Sequence, residues 1–208
     1  FTLNYNHLSD EKLSEVARKL HVKIHKLQRP QWIESVLHNK VLSIITRSIS
    51  PYPLHYYITL RDADVLSVLS TKPDGIWIYG EEMSKVSKQF TAFKRVHTFP
   101  DCESLYYKRI MECDFVRASR ILYLRQRLMY PKFARMEAGM DNSGNIHYHL
   151  VGKADVEEFK CINPQAQAHF IRHPHYEIDT TKRIAFHKPI RLLIAGQNNL
   201  YMKHDAEL

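Results

Sequence analysis

Residues 133–151 read FARMEAGMDNSGNIHYHLV and carry the most informative pattern in the chain. Two segments, 133–140 and 145–151, flank Asp141-Asn142-Ser143-Gly144, a turn cluster of the kind that closes a β-hairpin. A three-residue loop with Gly144 in the left-handed conformation would place Asp141 opposite Asn145. The pattern therefore predicts an antiparallel hairpin.

Two histidines in this stretch have the spacing of metal ligands. His147 and His149 alternate along the predicted strand, so both imidazoles face one side of the sheet. With the three-residue loop, Glu137 lies opposite His149 and shares that side, whereas a two- or four-residue loop puts it on the other face. The pattern predicts a divalent-cation site formed by His147, His149 and Glu137. The alternative is a polar sheet face that binds no metal.

A tyrosine near the end of the chain is a candidate nucleophile. Pro189 suits the first turn of a helix that would continue to Tyr201. A phenol on a helix beside a metal-bearing sheet can be held in line with a polarised phosphate, and Lys203 and His204 would supply charge or proton transfer. The alternative interpretation is a core tyrosine, and Tyr176 is a second candidate.

The rest of the chain indicates the fold class. Residues 8–50 have helical periodicity, and Pro51 and Pro53 interrupt it, so we predict a helical arm over 1–50 and a second domain over 51–208. Strands are predicted near 54–60 and 75–79, and helices over 84–97 and 102–129. We expect an α+β fold whose central antiparallel sheet carries the hairpin and is flanked by helices.

The charge balance favours a nucleic-acid partner. Thirty Lys and Arg residues exceed 22 Asp and Glu, which gives a net charge of +8. Basic residues with an interleaved aromatic can follow a phosphate backbone, although a solvated helix face is the alternative. The candidate nucleic-acid-binding residues are Arg18, Lys19, Lys23, Lys26, Trp32, Lys85, Lys88, Lys94 and Arg95.

Cysteine usage and hydropathy indicate the compartment. Cys102, Cys113 and Cys161 are odd in number and lack the spacing of a zinc site or a disulfide framework. The sequence contains no uninterrupted apolar run of membrane-spanning length. We expect an intracellular, soluble protein with no membrane partner, and the pattern leaves its oligomeric state open.

Residues 133–151 resemble the hairpin of the HUH endonucleases, which include rolling-circle replication initiators, relaxases and single-strand transposases. Two further segments are similar to that family: YYITLR at 56–61 to its first motif, and LYLRQRL at 122–128 to the helix before its hairpin. The resemblance covers roughly residues 54–205. Lys203 follows Tyr201 by two residues, where the family usually has a lysine three or four residues on.

The resemblance implies a metal-dependent nickase that acts on single-stranded DNA. His147, His149 and Glu137 would hold Mg²⁺ or Mn²⁺, and Tyr201 would attack phosphorus to form a 5′-phosphotyrosine with a free 3′ hydroxyl. A second hypothesis is a non-catalytic, basic, RNA-binding component of a ribonucleoprotein, such as an organellar ribosomal subunit. A third is a hydrolytic nuclease in which the cation activates water.

Overall fold

The computed structural model describes residues 2–3, 8–22, 24, 26–27 and 31–172. Several predictions lie outside the described residues: the catalytic candidates Tyr201, Lys203 and His204, the second candidate Tyr176, the basic residue Lys23 and the helix that would begin at Pro189. The side chain of Lys26 is outside the description as well.

The N-terminal segment contains three helices and a short strand pair. The helices are α1 (Asp10–Leu20), α2 (Gln31–His38) and α3 (Lys40–Ile49), and the parallel strands are β1 (Thr2–Leu3) and β2 (Lys26–Leu27). Side-chain caps define where two of the helices begin. Ser9 accepts a hydrogen bond from the amide of Lys12, and Asn39 accepts from Val41 and Leu42. These helices agree with the helical periodicity of this segment.

A four-stranded parallel sheet organises the remaining chain. Its strands are β3 (Ile76–Tyr79), β4 (Arg95–Thr98), β5 (Ile146–Leu150) and β6 (Ala168–Phe170), in the spatial order β3-β4-β5-β6. Parallel neighbours require crossover connections, and helices occupy each of them here. The helices around the sheet are α4 (Asp62–Ser70), α5 (Ser84–Lys88), α6 (Glu103–Ile110), α7 (Asp114–Arg117), α8 (Arg120–Ala138) and α9 (Lys153–Ile162).

The parallel sheet contradicts the predicted antiparallel sheet and its hairpin. The segment that was predicted to be the first hairpin strand is the end of α8, a 19-residue helix whose cap Ser119 accepts from the amide of Leu122. Residues 141–144 do turn, but they connect a helix to β5. Strand β5 then pairs in parallel with β4 and β6, so Val96 lies beside His147 and His149 beside His169.

Two shorter predictions also differ from the structure. The strand predicted near 54–60 contains a 3-10 helix, Leu54–Tyr57, and the helix predicted over 84–97 ends at Lys88 before β4 begins. The predicted strand at 75–79 is confirmed as β3. β-Branched and aromatic residues favour a strand locally, but the preference depends on the tertiary context, and residues 54–57 form a tight helical turn directly after Pro53.

The main core lies between one face of the sheet and helices α6, α8 and α9. Its buried members include Phe99, Met136, Ile146, Tyr148, Leu150 and Phe159. A second cluster, which includes Ile58, Val68 and Phe90, lies beneath α4 and α5. Contacts also cross the predicted boundary between residues 50 and 51, because Lys132 donates to the carbonyls of Arg47 and Ser48. None of the helices in the described ranges is long and apolar enough to span a bilayer.

Candidate functional site

One face of the sheet packs on helices, and the other face is open in the described structure. Side chains alternate along each strand, so Ile78, Tyr148 and Ala168 are buried while their neighbours point the opposite way. We call this second side the open face; it consists of Trp77, Tyr79, Val96, Thr98, His147, His149 and His169. Parallel sheets are usually covered on both sides, so a face that the described residues leave uncovered is unusual.

A chain of hydrogen bonds crosses the open face and sets the proton positions along it. Trp77 can only donate, and its Nε1 lies 2.8 Å from Oγ1 of Thr98. That hydroxyl also lies 3.2 Å from Nδ1 of His149. Nε2 of His149 donates to the carbonyl of Ile171 at 2.8 Å, because a carbonyl oxygen can only accept. In the tautomer protonated on Nε2, Nδ1 accepts from Thr98.

The two remaining histidines of the open face form a pair. Nδ1 of His147 lies 3.1 Å from Nε2 of His169, so one of the two nitrogens donates to the other. The ring centroids are 5.3 Å apart. His147 and His149 thus share one face of β5, as the spacing predicts, but each contacts a neighbour on the open face.

Glu137 does not join these histidines. It lies in α8, on the covered side of the sheet, and is fully buried. Its Oε1 accepts from the amide of Ser104 at 3.1 Å and from the thiol of Cys102 at 3.4 Å. The predicted convergence depended on a hairpin register that the helix removes. Within the described ranges, His, Cys, Asp and Glu form no group of three or more arranged to hold a metal ion.

The basic candidates in the N-terminal helices lie at the surface. Arg18 and Lys19 are exposed on α1, where Lys19 pairs with Glu15 at 2.7 Å, and Trp32 is exposed on α2. An exposed ion pair of this kind contributes little to stability. These side chains are accessible to a partner but lie on separate elements from the sheet.

The candidates around β4 have different environments. Lys94 and Lys88 are exposed, and Lys88 donates to the carbonyl of Gly139. Lys85 is half-buried, with its ammonium 4.7 Å from the centroid of the Tyr56 ring. Arg95 is buried and its Nη2 lies 2.6 Å from Oδ2 of Asp141, which contradicts its predicted place on a nucleic-acid-binding surface. The inward direction of its side chain follows from its position in β4.

A cavity that the sequence analysis missed lies at the carboxyl ends of β3 and β4. Its volume is about 640 Å³. Ligands of open α/β sheets bind outside the carboxyl ends of the strands, so this is the expected place for a pocket. Four carboxylic acids line it: Glu81, Glu82, Asp101 and Glu103. The signal was present in the sequence, because acidic residues follow the end of β3 and again the end of β4.

Burial and mutual repulsion raise the pKa values of Glu81 and Glu103. Burial, followed by the negative charge of Glu137, raises the pKa of Glu81 well above its ordinary value. Burial, followed by the charge of Asp101, raises the pKa of Glu103 to about 7. Burial also raises the pKa of Glu137, against the hydrogen bonds that it accepts from Ser104 and Cys102. Clusters of shifted acids in a cavity are typical of functional sites.

The turn that carries Glu81 is held from behind by a buried histidine. Nε2 of His97 donates to the carbonyl of Gly80 at 2.7 Å, and burial lowers the pKa of His97 to about 4. Gly80 itself has a φ of 100°, a conformation that favours glycine. The imidazole is therefore a neutral donor that fixes the end of β3.

Comparison with protein-family models, with curated proteins and with solved structures found no significant match to this chain. The function is therefore argued from the two sites described above.

Proposed function

We propose that this protein binds single-stranded nucleic acid on the open face of its sheet. The observation that carries the proposal is the pair of aromatic side chains on β3: Trp77 is 74% exposed and Tyr79 is 59% exposed, both beside the imidazoles of the open face. Exposed aromatic rings on a sheet provide stacking platforms for unpaired bases. Each stacked base contributes about 1–3 kcal/mol to binding.

The ring of Trp77 is oriented before any ligand arrives. Its Nε1 donates to Thr98, which is tied in turn to His149. A side chain that is already held in one orientation loses less conformational entropy when a base stacks on it. The imidazoles supply hydrogen-bond donors and acceptors for base edges and phosphate oxygens.

Charge also favours a nucleic acid. None of the residues in strands β3 to β6 is acidic. Lys94 precedes Val96 by two residues at the start of β4, so it continues the open face, and the whole chain carries a net charge of +8. A cationic protein with an aromatic surface that lacks carboxylates attracts a phosphate backbone.

The proposal retains a nucleic acid as the partner, as the sequence analysis predicts, but it does not include strand cleavage. Single-stranded DNA and RNA both present unpaired bases to an aromatic surface. Catalysis by His147 and His149 with Mg²⁺ or Mn²⁺ required the carboxylate of Glu137 beside them, and that carboxylate is buried in the core. We therefore propose binding without a required metal ion, so EDTA is expected to leave the affinity unchanged.

Tryptophan fluorescence tests the proposal directly. The chain contains two tryptophans, so the variant Trp32→Phe leaves Trp77 as its single tryptophan. Titration with oligo(dT) and with oligo(U) is expected to quench its emission, and comparison of the two affinities distinguishes a DNA from an RNA preference. Quenching is expected to weaken as salt increases, because phosphate contacts release counterions.

Matched variants locate the binding surface. Trp77→Ala and Tyr79→Ala are each expected to weaken binding about tenfold or more, which corresponds to one lost stacking interaction. Tyr123→Ala, at an exposed tyrosine on α8, serves as the control and is expected to bind like the parent protein. Unchanged affinity in both β3 variants, or a Trp77 emission typical of a ring buried against polypeptide, would overturn the proposal.

A further inference from the structure

The cavity at the carboxyl ends of β3 and β4 has the size and the lining of a small-molecule site. Its volume of about 640 Å³ is within the range of about 300–1,000 Å³ that is typical of ligand pockets. Besides the four acids, its wall includes the rings of Tyr52, Phe99 and Phe133. Tyr79 of the open face lines the cavity as well, so the two sites adjoin, but the inference drawn from the cavity does not rest on the proposed function.

Acidic side chains outnumber basic ones in the lining of this cavity. Glu81, Glu82, Asp101 and Glu103 line it together with two cationic side chains, Arg47 and Lys132. The ammonium of Lys132 already donates to the carbonyl oxygens of Arg47 and Ser48. His55 also lines the cavity, and burial lowers its pKa to about 4, so it adds no positive charge at neutral pH. Acids therefore outnumber cations in the lining of a protein whose net charge is +8.

Glu81 supplies an independent indication of a ligand. Only 7% of its surface is exposed, and its carboxyl group lies within hydrogen-bonding reach of the carboxyl group of Glu137. Neither Oε1 of Glu81 nor Oε2 of Glu137 has a donor from any other described residue, so only a proton held between the two acids satisfies them. A buried acceptor without a donor costs about 1–3 kcal/mol. A ligand that brings an N–H group into the cavity would supply that donor.

The aromatic rings favour an organic cation over a metal ion. The face of an aromatic ring attracts an ammonium group. Tyr52 is stacked on Tyr56 with centroids 4.2 Å apart, and Phe133 on Tyr107 at 4.9 Å, so the aromatic wall is held in place. No cluster suited to metal coordination occurs in the parts of the chain that the structure describes.

We propose that this cavity binds a small organic molecule through a primary ammonium group, with the carboxylate of Glu81 as its direct partner. Glu103, Asp101 and Glu82 provide the surrounding negative charge, and the apolar part of the ligand contacts Tyr52 and Phe133.

Binding of a cation is coupled to proton release. The groups that face Glu81 and Glu103 are Arg47 from α3, His55 from the 3-10 helix, Lys132 and Glu137 from α8, and Glu82 and Asp101 from the strand ends. A bound ammonium favours the ionised carboxylates, so it lowers their pKa values and releases protons. Affinity is therefore expected to increase between pH 6 and pH 8.

Calorimetry with the full chain tests the site. The probes are n-butylammonium and 1,4-diaminobutane, with n-butanol as the neutral analogue of the first and Mn²⁺ as a metal control. We expect both amines to bind, n-butanol to bind at least about tenfold more weakly, and the measured heat to depend on the ionisation enthalpy of the buffer. Equal binding of n-butanol, binding of Mn²⁺ alone, or no binding of either amine would overturn the proposal.

Two variants test whether the side chain of Glu81 binds the amine. Glu81→Gln keeps the shape of the side chain but removes its charge, and it is expected to weaken amine binding about tenfold or more. Glu157→Gln, at an exposed position on α9, is the control and should bind like the parent protein. If Glu81→Gln does not fold, Glu103→Gln tests whether amine binding depends on the carboxylates of the cavity, because Glu103 follows the end of β4 as Glu81 follows the end of β3. Parental affinity in the folded variant would contradict the assignment.

Discussion

Arg95 and Asp141 form an ion pair that joins the start of β4 to the turn before β5, with Nη2 and Oδ2 2.6 Å apart. The side chain of Arg95 is completely buried. Its other hydrogen bonds include those to the carbonyl of Ser87 at 2.9 Å and to the hydroxyl of Ser143 at 3.2 Å. One guanidinium therefore links α5, β4 and the loop that follows α8.

Removal of Asp141 is expected to destabilise the fold strongly. Asp141→Ala leaves the buried guanidinium of Arg95 without its counter-charge, and such a loss costs about 3–5 kcal/mol. Urea denaturation at pH 7 measures the change in the free energy of unfolding. Asp74→Ala, at an exposed turn position, is the control and should change that free energy by less than about 0.5 kcal/mol. A similar small effect in Asp141→Ala would show that the ion pair contributes nothing net.

The same pair predicts a loss of stability in acid. Burial acts to raise the pKa of Asp141, but hydrogen bonds from the Ser143 amide and from Arg95 outweigh it and hold the pKa below its ordinary value. The contribution is therefore present above the unfolded pKa of about 3.9, and it is lost as the pH falls through the lower folded value. The difference in stability between parent and Asp141→Ala should narrow below pH 4.

The raised pKa of Glu103 predicts that the stability of the fold depends on pH with the opposite sign. Its pKa is raised from 4.5 to about 7, so ionisation at neutral pH destabilises the folded state. The penalty begins above the unfolded pKa and is complete above the folded one. Glu103→Gln should therefore match the parent near pH 4 and exceed its stability at pH 8 by about 3 kcal/mol. Denaturation curves at the two pH values measure this, and equal stability at pH 8 would contradict it.

The protonation state of His149 can be measured by NMR. The bonds from Trp77 through Thr98 to the carbonyl of Ile171 hold the ring as the tautomer protonated on Nε2. Long-range ¹H–¹⁵N correlation spectra at pH 7.5 should show a protonated Nε2 and an unprotonated Nδ1. Thr98→Val removes the central hydroxyl and is expected to weaken this preference. A ring protonated on Nδ1 in the parent protein would contradict the chain of bonds.

Two glycines distinguish the observed helix-to-strand turn from the predicted hairpin. The hairpin required Gly144 in the left-handed conformation, whereas a Cβ placed on Gly144 in the structure meets no atom within 4 Å and its φ is not positive. Gly144→Ala should therefore change stability by less than about 0.5 kcal/mol. Gly80→Ala, at a φ of 100°, should cost about 1–2 kcal/mol. Thermal unfolding of both variants checks the contrast, and a large loss in Gly144→Ala would favour the hairpin.

Local patterns in the sequence predicted several elements correctly. The helices of the N-terminal segment follow from apolar residues at helical spacing. The strand that contains Trp77 follows from its β-forming residues between two glycines. Alternation along a strand placed His147 and His149 on one face. Each of these features depends on residues within a few positions of one another, so the sequence pattern carries enough information.

Tertiary packing decided the direction of the sheet and the place of Glu137. Residues 133–138 continue a helix because Phe133 and Met136 pack in the core with Tyr148. A turn cluster joins two strands or a helix and a strand equally well, so its chemistry did not distinguish these connections.

The fold also determined which side chains from distant parts of the chain became neighbours. Parallel pairing places Val96 beside His147, 51 positions apart, and the acids of the cavity come from two different strand ends. Charge, helix caps and strand alternation are properties of neighbours along the chain. The open face and the acidic cavity arise only when long-range burial brings separate segments together, because that burial offsets the entropy lost on closing the loops between them.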